Sequence, residues 1–163
     1  MKHYKILIVY VILISISCTK PMVLDLPIHH FNEGYVKRNP TSVEATTLLI
    51  RNNKTTVYPP FNIMPPDATY YQIPSSIKFY RKLENIHLDG LFVKELPVEL
   101  EELPNLENIS FSIGDDTSIP QIISVLKSCK HLKALHFMTA IIPVAQFKML
   151  KKNLPNVEMS VQP

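Results

Sequence analysis

Residues 83–111 read LENIHLDGLFVKELPVELEELPNLENISF, and this stretch decides the fold. Leu83, Ile86 and Leu88 stand at i, i+3 and i+5, which suits entry into a strand better than one face of a helix. The pattern returns at Leu106, Ile109 and Phe111, then at Leu132, Leu135 and Phe137, then at Leu154, Val157 and Met159. Its spacings are 23, 26 and 22 residues, a period that points to stacked, similar units. In each unit the two-residue period of a strand turns the apolar side chains inward and the intervening ones outward. Leu96, Leu100 and Leu103 suit a short helical or 3₁₀ return. Ile122, Val125, Leu126 and Cys129 make one face of a better helix over 122–130, and Phe147, Met149 and Leu150 serve the last return. Pro97, Pro104, Pro120, Pro143 and Pro155 interrupt any long helix, which argues against a helical bundle.

The stretch from Val93 to Phe111 resembles the bacterial form of leucine-rich repeats, whose strand motif is L-x-x-L-x-L-x-x-N-x-L at about 20–29 residues per repeat. The chain departs from that motif at the Asn position, where Leu91, Gly114, Ala140 and Gln162 stand. A fainter copy with the Asn precedes it: Ala45, Leu48, Ile50, Asn53. The resemblance implies an α/β solenoid, a short leucine-rich repeat coil of four to five units with a Pro-rich N-terminal cap. It also implies that the outward strand residues form a concave partner-binding face. Those residues are Asn85, His87 and Asp89, then Asn108, Ser110 and Ser112, then His136 and Met138, then Glu158.

Toward the N-terminus, Lys2 and Lys5 precede an apolar run from Ile6 to Ile14, and the small residues Ser15 and Ser17 lead to Cys18. This is secretory-signal architecture, with an apolar run short of the roughly 20 residues a spanning helix needs. The Cys directly after it resembles the signal of bacterial lipoproteins, although Ser15 stands where that family has Leu. The resemblance implies acylation of Cys18 (a palmitate-type anchor), export, and residence in the bacterial cell envelope at the outer membrane. The expected organisation is then a signal peptide at 1–17, a lipidated Cys and flexible tether at 18–40, an N-terminal cap with a degenerate repeat at 41–82, and repeats at 83–163. Pro21, Pro27, Pro40 and the pair His29-His30 motivate the tether. Tyr58, Phe61, Tyr70 and Tyr71 belong to the Pro-rich loop of the cap, with Tyr70-Tyr71 a second candidate contact.

The chemistry-bearing residues are sparse. The 163-residue chain has three glycines, at 34, 90 and 114, too far apart for a phosphate loop. It has two cysteines, too few for a disulfide framework or a zinc cage. Its net charge of +3 does not indicate nucleic acid. His87 and His136 lie two strands apart, roughly 10 Å, too far to share one metal ion. No cofactor, metal or catalytic residue is expected, and the chain reads as a non-enzyme. Charge is segregated: seven acids and no base over 95–116, six lysines and no acid over 127–152. The expectation is an exported, lipid-anchored module that binds a protein or other macromolecule. The alternatives are an inhibitor or immunity-type protein of an exported enzyme, and a lipoprotein hydrolase using His87 or His136 as base.

Overall fold

The computed structural model describes residues 21–52, 70–138 and 142–161. Among the described residues, six strands run parallel in one sheet: β1 (Val23–Pro27), β2 (Thr47–Arg51), β3 (Asn85–Phe92), β4 (Asn108–Ser112), β5 (Ala134–Phe137) and β6 (Glu158–Val161). Their order across the sheet is their order in the chain. Helices and 3₁₀ turns fill the connections: α1 (Tyr35–Arg38) and a turn at Pro40–Glu44, then turns at Ser75–Phe79 and Val98–Glu102, then α2 (Ile119–Ser128) and α3 (Val144–Asn153). From the Ser75 turn onward, each connecting element packs on the next.

The register explains the core. Leu24, Leu48, Ile86, Ile109, Leu135 and Met159 face one another strand to strand. All six are buried, and they join the inward residues of the connections in one apolar cluster. A second row holds Leu26, Ile50 and Leu88 on one side and Phe111, Phe137 and Val161 on the other. Phe111 meets Phe137 edge-on, with centroids 5.6 Å apart, the arrangement ring quadrupoles favour.

The second row breaks between β3 and β4. The chain takes five steps from His87 to Phe92, where β4 takes two from Ser110 to Ser112. Asp89–Leu91 is therefore extra backbone, and Gly90 turns it at φ 67°, where a Cβ is strained. Beyond this bulge Tyr71 forms a parallel bridge to Val93.

Proline placement sets the connections. Pro74, Pro97 and Pro143 stand just before the Ser75 turn, the Val98 turn and α3. Pro40 opens its turn, and Pro120 lies in the first turn of α2. A proline at a helix start loses no hydrogen bond and presets φ. These prolines begin short helices as well as preventing long ones.

The structure corrects three expectations. Residues 21–40 are not a flexible tether: Val23–Pro27 is a strand paired along its length with β2. Of the three prolines that suggested a linker, Pro21 precedes that strand, Pro27 ends it and Pro40 opens a later turn, and Leu24 and Leu26 supply the strand's inward side. The last strand motif is out of phase by two residues. Met159 faces Leu135 and Val161 faces Phe137, so Leu154 is a buried residue just past α3 rather than the opening of the strand motif. Met149 faces outward at 44 % exposure, and Leu150 alone of α3 is buried. The Cys18 anchor and the signal at 1–17 lie outside the described residues, as do Tyr58 and Phe61.

Candidate functional site

The outward side chains form rows across the strands because, ahead of the β3 bulge, the strands share one register. The first row runs Thr47, Asn85, Asn108, Ala134, Glu158. Asn108 Nδ2 donates to Asn85 Oδ1 at 2.7 Å, and Asn85 Nδ2 donates to Thr47 Oγ1 at 3.3 Å. The second row runs Leu49, His87, Ser110, His136, Ser160. His87 Nδ1 lies 2.9 Å from Ser110 Oγ, and His136 Nδ1 lies 2.7 Å from Ser160 Oγ. The Asp25–Arg51 ion pair, at 3.1 Å, borders the rows on β1 and β2.

These contacts change what the face offers. Ser110 and Ser112 are on the outward side, yet only 3 % and 2 % exposed. The His87 ring bonds to Ser110, and Ser112 Oγ donates to the Met138 carbonyl at 3.4 Å. The accessible polar groups are therefore Asn85, Asn108, His87, His136 and Glu158, with Met138 at the upper end of β5. For Asp89 only the backbone register, opposite Arg51, is described. A serine hydroxyl beside an imidazole has the makings of a general-base pair, but Ser110 is covered by neighbouring groups on its own face. Among the described residues, no three His, Cys, Asp or Glu side chains converge on a point where they could hold a metal ion.

The remaining candidates are internal. Cys129 is buried, and its thiol donates to the Val125 carbonyl. Burial, with Glu101 nearby, pushes its pKa up to about 11, so the reactive thiolate is scarce at neutral pH. Tyr71 is buried and donates to the Phe31 carbonyl at 3.4 Å, and burial pushes its phenol up. Tyr70 accepts from the Asp116 N–H at 2.8 Å. Tyr71 is thus internal, while Tyr70 remains partly exposed beside the loop after β4.

Several structural residues had no sequence signal. The Gln121 side chain accepts from the Leu96 N–H at 2.9 Å and donates back to the Leu96 carbonyl. Thr117 Oγ1 accepts from the Gly114 N–H and donates to the Val93 carbonyl. Thr117 thus satisfies loop backbone at Gly114, one of the positions where the strand motif lacks its Asn, and Gln121 does so ahead of the Val98 turn. Glu33 accepts from the N–H groups of Ser75 and Ser76, capping a turn whose own preceding residue is Pro74. Desolvation raises the Glu33 pKa, but the hydrogen bonds from Ser75 and Ser76 outweigh it and leave the group below its ordinary value.

No family model matches this chain, and no curated protein matches it. Among the described residues, no helix is long and apolar enough to cross a membrane.

Proposed function

We propose that this chain is an exported, lipid-anchored interaction module: a short leucine-rich repeat coil that holds a macromolecular partner on the polar face of its sheet. The observation that carries this reading is the shared register of six parallel strands. It stacks apolar side chains into one row that crosses all six strands and a second that is interrupted at the β3 bulge, with mainly polar side chains on the other side. The Leu-x-x-Leu-x-Leu spacing and the Val93–Phe111 stretch support the repeat reading. The Lys2–Cys18 sequence supports export and acylation of Cys18. Asn85, His87, Asn108, His136 and Glu158 are the contact residues, with Met138 as the apolar member. With no Trp or Arg at the centre of the face, single contacts are weak, and concentration on a membrane surface compensates for that.

The test is photo-cross-linking in intact cells, with the reactive side chain placed at His136 or, as a control, at Ser124 on the exposed side of α2. The reading predicts one defined adduct from position 136, absent from position 124 and lost in an Asn108→Arg variant. Equal labelling from both positions contradicts it. Loss of fatty-acid labelling in Cys18→Ala tests the anchor separately.

A further inference from the structure

We propose that the outward side of α2 and α3 docks on an anionic lipid surface. From Thr117 to Val157 the chain has no acidic residue, and it carries six lysines, His131 and, on the sheet face, His136. Helix α2 packs against α3, which brings Lys127 to the lysines of α3, while Lys130 and His131 line a shallow depression with Arg81, Glu101 and Glu102 at its border. Lys127 Nζ donates to Asn153 Oδ1 at 2.9 Å, joining the end of one helix to the end of the other. Lys133 is paired with Glu107 at 2.7 Å. Among the described residues, the other lysines of the set have no carboxylate partner.

The apolar side chains among these lysines select the occupant. At 100° per residue, Val144, Ala145, Lys148, Met149, Lys151 and Lys152 share the outward side of α3. Val144 is 69 % exposed and Met149 44 %. Lys151 Nζ sits 5.3 Å from the centroid of the half-buried Phe147 ring. Lysines interleaved with exposed apolar side chains match the headgroup–acyl boundary, where the apolar groups sink and the ammonium groups meet anionic headgroups. A nucleic-acid surface would use Arg forks and stacking aromatics, and the outward side of α3 has no Arg and no fully exposed aromatic ring. In a parallel sheet all strands begin at one rim. Lys151 and Lys152, just ahead of β6, lie toward the rim where residue 21 enters β1. The polar sheet face stays free for a partner.

The experiment uses the full chain with Cys18→Ser and a fluorescent label at Ala145→Cys, mixed with vesicles bearing lipid-attached quenchers. The vesicles are phosphatidylcholine alone or one third phosphatidylglycerol, and a label at Glu99→Cys is the control. The leader, with Lys2 and Lys5, is the same in every variant, so the comparison of the parent with a variant lacking the α3 lysines isolates the patch. Quenching at 145 should be about tenfold stronger with the anionic vesicles and fall with salt, while position 99 stays unquenched. Lys148→Gln with Lys151→Gln and Lys152→Gln should remove that preference in a chain with an unchanged circular dichroism spectrum. Val144→Ser with Met149→Ser should reduce quenching but keep the salt dependence. Equal quenching in both vesicles overturns the proposal, and so does a label that responds to a DNA duplex but not to anionic vesicles.

Discussion

The connection before β4 and the connection before β6 meet the same requirement with different completeness. Ahead of β4, Leu96, Leu100 and Leu103 are all buried around the Val98–Glu102 turn, and β4 itself is buried from Ile109 to Ser112. Ahead of β6, α3 buries Leu150 alone, and both ends of β6 are exposed. The backbone shows the same gradient. The carbonyls of Met22, Thr46, Glu84 and Glu107 each accept two N–H groups from the start of the next strand. Lys133 receives one, from Glu158, while the Val157 N–H turns back to Leu154. Position in the strand order, more than residue type, decides how much each segment is held by its neighbours.

Truncating the core at both places should give the largest difference. Phe111→Ala removes a fully buried ring that meets Phe137 edge-on from an inner strand, and should cost about 3–5 kcal/mol. Met159→Ala, at the end of its row, should cost about 2 kcal/mol, the low end for such a truncation. Urea unfolding midpoints at constant slope measure both, and equal costs would erase the contrast.

Gln121→Ala comes next. It strips the Leu96 N–H and carbonyl of their partners and should cost about 1–3 kcal/mol. The effect should be visible in hydrogen exchange as faster exchange at Leu96 with little change in β6. Uniform loss of protection along the chain would mean that the amide does not act locally.

The smallest effect is at Glu33. Its pKa is depressed in the folded chain. Its contribution is therefore present above the unfolded value near 4.3 and is lost as pH falls through the folded value. Glu33→Gln should lower stability at pH 7, where that contribution is fully present, and its curve should flatten and converge with that of the parent as pH falls through the carboxylate range. A curve identical to that of the parent would remove Glu33 as the cap of the Ser75 turn.

The inward rows were legible because Leu83, Ile86 and Leu88, and their counterparts to Phe137, combine an apolar identity with a spacing only a strand entry uses. The last strand was misphased for a specific reason. A slip of two residues leaves every side chain on the same face, so Val157 and Met159 fit the motif as well as Met159 and Val161 do. Only pairing with Leu135 separates the two. Strand β1 carries just Leu24 and Leu26 inward and becomes recognisable when Leu48 and Ile50 lie beside them. The polar face was legible as a set of positions. Its burial at Ser110 was not, since that depends on the His87 ring one strand away. Glu33 reaches Ser75 across 42 residues, a contact that no local pattern announces.

The central claim is that the strands stack in chain order at a fixed register, so that the segment between equivalent positions is a removable unit. Ile109 faces Leu135, and deleting residues 109–134 joins Asn108 to Leu135 in phase. Deleting 109–133 leaves the following strand one residue out of phase and turns its apolar side chains to the polar face. Circular dichroism with urea unfolding should show a folded, cooperative chain for the first deletion and an unfolded one for the second. Two equally folded or two equally unfolded chains would contradict the claim.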